Sequence, residues 1–404
     1  MTTTTNNEQK KLNVPNLRFK EFEGEWKEER LADIADLYKG TGISKDQLSD
    51  DGEPCILYGE LYTKYKSETI REVISKTNIN NTKLVRSKAN DVIIPCSGET
   101  AEDIATARCV LNGNILLGGD LNIIRLHGYD GAFMSYQLNG RRKYDIAKVA
   151  QGVSVVHLYG EHLKGVKTIN PCLEEQKKIA KLLSLLDERI ATQNKIIEDL
   201  KELKSAIIEE HYRQTEKNEV CVADLGNHFN VGNLAKDDLS ETGKPCIIYG
   251  ELFTTYGEII SQIESHTNKT EGMILSKKGD LLFPSSTTVD AVSLIAPSVI
   301  NVDNVILGGD MFGIHISHNY NAQYLSYYFN HIAKKQLAKF AKGSTIIHLH
   351  YTDIEKAKLL LPSLEEQNRM AKCLVALDKK VSVEQNLLSS LTCQKSYLLQ
   401  QMFI

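Results

Sequence analysis

The sequence predicts an α+β protein made of two similar mixed α/β domains, each followed by a long coiled-coil helix, with pseudo-twofold symmetry. Three observations predict it. Pro54-Cys55-Ile56-Leu57-Tyr58-Gly59-Glu60-Leu61-Tyr62-Thr63 returns as Pro245-Cys246-Ile247-Ile248-Tyr249-Gly250-Glu251-Leu252-Phe253-Thr254, an offset of 191 positions. Gly152 with His157-Leu158 returns as Gly343 with His348-Leu349, and Leu173-Glu174-Glu175-Gln176 as Leu364-Glu365-Glu366-Gln367, at the same offset. A period that long is a duplicated domain, since solenoid units run to roughly 20–50 residues. After each copy, apolar residues step by 4 and 3 for several heptads, which is coiled-coil spacing.

Within each copy, Asp51-Gly52 and Thr242-Gly243 read as turns. The apolar runs Val92-Ile93-Ile94, Leu281-Leu282-Phe283, Leu121-Asn122-Ile123-Ile124 and Val153 to Leu158 read as strands. Residues 132–150 and 322–342 read as helices, with Tyr136 and Tyr327 in register.

From Leu173 there is no Pro or Gly until Gly226. Ile179, Leu183, Leu186, Ile190, Gln193, Ile197, Leu200, Lys204, Ile207 and His211 form one stripe. The second copy gives Met370, Leu374, Leu377, Val381, Glu384, Leu388, Leu391, Lys395, Leu398 and Met402. Pro171 and Pro362 stand just before the two helices, where proline is tolerated. At ~1.5 Å per residue each rod is about 60 Å long. Both are polar over most of their surface, so each needs a partner, and the nearest is the other. Matching apolar to apolar gives a register that opposes Lys204 to Glu384 and Gln193 to Lys395.

Hydrophobic content of 42% and charge of 25% are those of an ordinary globular protein. The start is polar, with no signal-peptide core, and no stretch approaches ~18 apolar residues, which predicts no membrane span. Eight cysteines without a Cys-x-x-Cys pair fit a reduced, cytoplasmic protein. A net charge of −4 argues neither way about nucleic acid, because phosphate contacts depend on where Lys and Arg lie.

Pro15-Asn16-Leu17-Arg18-Phe19 with Phe22 and Trp26, Pro171-x-Leu173-x-Glu175-Gln176, Pro362-x-Leu364-x-Glu366-Gln367 and Gln401-Met402-Phe403 resemble the specificity subunit of type I restriction-modification systems, from Pro15 to Phe403. The resemblance implies two target-recognition domains, each reading one half of a split double-stranded DNA sequence, held apart by two antiparallel coiled-coil helices. It implies a flexible tail at 1–14, recognition domains at 15–172 and 215–361, and helices at 173–214 and 362–404. Implied partners are two adenine methyltransferase subunits and motor-nuclease restriction subunits, with S-adenosylmethionine, ATP and Mg in those partners and no cofactor here. The assembled complex would be a site-specific deoxyribonuclease and adenine-specific methyltransferase. One departure stands out: recognition domains within one such subunit usually differ strongly, whereas these two remain similar.

No catalytic or metal site is expected in this chain. Glu241-Thr242-Gly243-Lys244 lacks the earlier glycine of a phosphate loop and runs into Pro245. No Asn/Asp-Pro-Pro-aromatic run is present, and neither Asp91 nor Asp280 is followed by Glu-x-Lys. His348 and His350 share a strand face, but Tyr159 stands opposite His350 in the first copy, which favours a structural role over metal ligation.

Three groups are candidates for DNA contact. Tyr62, Lys64 and Lys66, with Phe253 and Tyr256, carry aromatics that serve equally well as core. Ser97 to Thr100, matched to Ser285, Ser286, Thr287 and Thr288, are small hydroxyl residues after a strand; they suit a plain turn or close approach to a duplex. Arg141, Arg142 and Lys143, with Lys334, Lys335 and Lys339, make both copies locally basic, which favours phosphate contact over a solvated face. The rival reading is a coiled-coil scaffold or adaptor whose globular ends bind protein. Steep weakening of DNA binding with salt discriminates the two.

Overall fold

The computed structural model describes residues 13–79, 83–152 and 155–404; most of the expected tail and the expected strand start at Val153 lie outside them. The chain divides into two compact units, Met1–Asn194 with Asn386–Ile404, and Lys195–Gln385. Each unit therefore holds one globular copy and a stretch of both long helices.

In unit 1, one five-stranded sheet runs Ala35–Lys39, Leu121–Leu126, Asp91–Pro95, Arg108–Val110, Thr69–Ile70 in spatial order. A second runs Leu48–Ser49, Lys76–Thr77, Glu53–Ile56, Leu116–Leu117, Val85–Arg86. The strand Asp91–Pro95 is buried at every residue, which is why it reads as a continuous apolar run and not an alternation. Unit 2 repeats both sheets strand for strand, with Asp280–Pro284 in the same central place. Gly52 (φ +111°) and Gly243 (φ +133°) make the expected turns. A Cβ at either would stand 2.4 or 2.5 Å from the carbonyl oxygen of Thr77 or Thr267, so glycine is required.

The helices expected at 132–150 and 322–342 are each interrupted. Gly131–Asn139 is closed by Gly140, whose N–H bonds the Tyr136 carbonyl, and Lys143–Val149 starts anew. Ala322–His331 ends where the Ile332 N–H bonds Tyr328, and Lys334–Leu337 follows. Tyr136 and Tyr327 are in register as expected, each giving its hydroxyl to a long-helix carboxylate, Asp187 or Asp378.

The long helices are Leu173–Gln214 and Leu364–Gln401. Leu183, Leu186, Ile197, Lys204, Leu374, Val381, Glu384 and Leu391 are buried, and Ile190, Leu200, Leu377 and Leu388 half-buried, as the stripe requires. Within each unit the helices pair antiparallel. Lys204 meets Asp378 and His211 meets Glu366 in unit 2; Asp187 meets Lys395 in unit 1, where Ile179 and Leu183 share a core with Met402 and Phe403.

The expected register is not the one found. Lys204 bonds Asp378, six residues short of Glu384, and Glu384 pairs with Lys380 on its own helix. Lys395 bonds Asp187, six residues short of Gln193. Six residues are about 9 Å of helix. Apolar matching leaves several registers nearly equivalent, and polar partners choose among them. Here those partners include residues outside the helices, Glu258 for Lys204 and Glu68 for Lys395.

The repeated Pro-x-Leu-x-Glu-Gln start joins each helix to its globular copy. Gln176 donates to the Pro171 carbonyl (2.8 Å) and accepts from the Asp130 N–H (2.9 Å). Gln367 does the same with Pro362 (2.9 Å) and Asn321 (3.0 Å). Asp130 and Asn321 cap the helices that carry Tyr136 and Tyr327. Glu175, buried, holds Arg18 through two bonds of 2.8 Å, and Trp26 packs edge-on to Phe133, which also touches Phe403.

Candidate nucleic-acid interface

In each unit, one surface gathers the ends of several elements. In unit 1 the chain leaves the central strand at Pro95 and forms a two-stranded ribbon, Ser97–Gly98 with Val156–His157. Thr100 then caps the short helix Ala101–Ile104 through its oxygen on the Asp103 N–H (3.0 Å). That helix packs against both ribbon strands and against Lys143–Val149. Beside the ribbon lies a groove of about 760 Å³ lined by Tyr58, Tyr62, Thr63, Ser97, Gly98, Glu99, Asp103, Arg108 and Val155, among others. The Tyr62 hydroxyl donates to the Ser97 carbonyl at 3.1 Å, and burial pushes its ionisation up, so the phenol stays neutral.

Unit 2 builds the same surface from Ser286–Thr287 with Ile347–His348, the helix Ala291–Leu294 capped by Asp290, and Lys334–Leu337 packed on that helix. The backbone corrects the matching of the two loops by one residue. His157 faces Ser97 and His348 faces Ser286, while Cys96 and Ser285 each donate an N–H of 2.7 Å to Asp120 and Asp310. Ser97 therefore corresponds to Ser286, not Ser285; unit 2 has its extra residue between ribbon and cap, where a loop absorbs it.

Several candidates are already engaged within the fold. Lys64 bonds Glu60 (2.7 Å) and Ser75 (2.6 Å), and Lys66 bonds the Tyr62 carbonyl (3.0 Å). Arg141 donates to the Gln400 carbonyl (2.6 Å) and Arg142 to that of Ile404 (3.3 Å), at the end of the second long helix, where cations are favoured by the orphan carbonyls. Those two arginines brace a helix end, and Ile332 and Ala333 stand at the matching positions of unit 2. Tyr256 packs in a core, its hydroxyl accepting the Glu264 N–H at 3.1 Å. Ser285 and Ser286 are buried, Ser286 donating to Asp310 (2.8 Å).

The rest present themselves outward. Thr100, Thr288, Lys335 and Lys339 are exposed, Phe253 is 37% exposed, and Ser97, Lys143, Thr287 and Lys334 are half-buried. Sequence reasoning missed Val155, Ile346, His157 and His348 as contacts; with Tyr58 from the expected 58–66 group and Lys342 from the expected basic stretch, they share this surface or line its grooves. A signal for some of them was in hand: Gly152 and His157 return as Gly343 and His348, and the exposed Val155 and Ile346 lie between them. Among the described residues no group of three or more His, Cys, Asp or Glu is placed to hold a metal ion; His348 and His350 stack on each other at 6.1 Å.

A mostly buried charged cluster ties each globular copy to the long helices. In unit 2, Lys204 is held by Glu258 (3.0 Å) and Asp378 (2.9 Å), with His331 bonding Glu258 (3.0 Å). In unit 1, Lys395 is held by Glu68 and Asp187, both at 2.6 Å. Burial alone would depress both ammonium groups, but the facing carboxylates outweigh it and raise them, so both lysines are charged.

A family model described as the type I restriction modification DNA specificity domain matches twice, at residues 23–202 and 215–392. The type I restriction enzyme MjaVIII specificity subunit of Methanocaldococcus jannaschii is 24% identical, over 91% of this chain and 90% of its own. The putative MjaX specificity subunit of the same organism is also 24% identical, over 93% and 92%. Among solved structures, the S subunit of a type I restriction-modification system from M. genitalium matches with a TM-score of 0.65 at 18% identity, over 97% of this chain and 99% of that one. Among the described residues no helix is long and apolar enough to cross a membrane.

Proposed function

This chain belongs to the type I restriction-modification DNA specificity family, and from that premise we propose that it is the non-catalytic subunit that recognises a two-part double-stranded DNA target. The observation that carries this reading is the double family match laid over two copies that build the same ribbon, capped helix and basic segment. Sequence is read by side chains at base edges, while Lys and Arg set position on the phosphates. Thr288 and the ribbon supply the first kind of group, with the Thr100 hydroxyl held as a helix cap; Lys143, Lys335 and Lys339 supply the second.

The long helices carry a second apolar set that the seam does not use. Leu182, Leu185, Ile196 and Leu203 each precede a seam position, as do Val383 and Leu387, and all are at least 36% exposed. One residue is about 100° of helix, so these lie on the flank of the seam. We assign this flank to the methyltransferase subunits, with restriction subunits joining the assembly. S-adenosylmethionine, ATP and Mg then belong to those partners, and the complex works in the cytoplasm. Mapping methylated adenines in cells with and without this chain tests the reading; an unchanged methylation map would end it. Serine at Leu182 and Leu185 should cost co-purification of the methyltransferase without unfolding the chain. An adaptor that binds only protein would show no steep salt dependence on duplex DNA.

A further inference from the structure

In unit 2 the ribbon strand Ile347–His348 is entered through a turn at Gly343, φ +118°. A Cβ there would stand 2.0 Å from the Ile346 carbonyl oxygen, so only glycine makes this turn. The turn leaves Ile346 49% exposed. Unit 1 repeats it: Gly152 has φ +120°, its Cβ would stand 2.1 Å from the Val155 carbonyl oxygen, and Val155 is 52% exposed. Val155 also lines the groove that holds Tyr62 and Ser97.

One exposed aliphatic residue needs no explanation. Two at the same position of a duplicated domain, each on a glycine-only turn, do. In unit 2 the helix Ala291–Leu294 packs against both Ile347–His348 and Ala338–Phe340. Val292 (40% exposed) and Phe340 (38%) therefore belong to the elements beside Ile346, with Lys335 and Lys339 exposed on the same segment as Phe340. An apolar centre with a lysine rim complements duplex DNA, whose bases are apolar in part and whose edges are phosphate.

We propose that Ile346 and Val155 are the apolar base contacts of the two half-sites, each entering a groove while the neighbouring lysines hold phosphates. Apolar side chains contact thymine methyl groups or wedge between base steps. The flanks differ: counting from the helix starts, Glu102 stands where Val292 does, and Val149 where Phe340 does. A shared contact with different flanks suits two half-sites of different sequence. The proposal rests on the DNA-recognition reading above.

The test uses the full chain assembled with its methyltransferase, and a fluorescent duplex carrying the target mapped from methylated adenines, titrated at several salt concentrations. Ile346→Ser should weaken binding about tenfold, the scale of one lost base contact, with an unchanged salt slope. Ile346→Leu should restore most of the affinity. Lys339→Ala should lower the slope by roughly 0.9. Replacing each thymine of the half-site by uracil, and separately placing 2-aminopurine at each step, assigns the contact: a methyl contact responds to uracil, and a wedge raises the fluorescence of unstacked 2-aminopurine. Full affinity in Ile346→Ser, a loss that comes with a lower slope, or no response to either base analogue overturns the proposal. Failure of the unaltered assembly to bind the duplex would instead overturn the recognition reading itself.

Discussion

The ammonium of Lys204 lies 2.9 Å from the carboxylate of Asp378. Shifting each by the 191-residue offset turns this pair into Asp187 with Lys395, which is the pair found in unit 1. The same interaction is thus made once in each unit, with the two copies exchanging the roles of acid and base. Desolvating such ions costs several kcal/mol each, so the cluster adds little stability for its own sake. Its effect is to penalise alternatives: a slipped helix or a shifted globular domain would strand a buried charge.

Lys204→Met should therefore destabilise unit 2 by about 1–3 kcal/mol, because it leaves the half-buried Glu258 and Asp378 without their shared cation, while His331 still bonds Glu258. Adding Asp378→Asn and Glu258→Gln should recover a large part of that loss. Urea unfolding of the single and triple variants measures it. Equal stability of the two would show that the cluster is not coupled.

Acid should act oppositely on the two clusters. Burial pushes the Glu258 carboxyl up, but hydrogen bonds from His331 and Lys204 with the Lys204 charge overcome it and hold the group down at about 2, against 4.5. A depressed carboxylate contributes stability above its unfolded pKa, and loses it as pH falls from about 4.5 towards 2. For Glu68, burial and Asp187 outweigh Lys395 and Arg108, and its pKa is raised. Protonating Glu68 thus relieves a cost as the pH falls. Glu258→Gln should flatten the acid loss of urea midpoint between pH 5 and 2, and Glu68→Gln should not.

The fragment 1–214 should pair with itself. It contains Glu68, Asp187 and Lys204, and Lys204 is the counterpart of the Lys395 that Glu68 and Asp187 bind in the full chain. A second copy can thus supply the missing cation and bury the seam. Sedimentation should show a dimer at micromolar concentration, weakened by Lys204→Ala. A well-folded monomer would refute the idea.

Alanine at Lys334, Lys335 and Lys339 should weaken DNA binding almost uniformly across sequences. Each lost phosphate contact should lower the slope of log K against log salt by roughly 0.9, and the two exposed lysines should account for most of the effect. Arg141→Ala and Arg142→Ala should instead lower the stability of unit 1, since they hold the Gln400 and Ile404 carbonyls. Binding isotherms beside thermal melts separate the two outcomes.

The sequence by itself determined the duplication, the strands built from apolar runs, the glycine turns, and the two long helices with their seam. These are local or periodic properties, and a repeat compares the chain with itself. Only the tertiary structure decided the rest. Lys204 chose Asp378 over Glu384 because Glu258, far away in sequence, reaches the same ammonium. Arg141 and Arg142 look like a phosphate-binding run, yet a helix-end carbonyl and one three residues past the helix, more than 250 residues later, occupy them. Ser97 matched Ser286 and not Ser285 because the partner strands at His157 and His348 set the register. In each case the deciding partner is brought near only by folding, and no spacing along the chain records it.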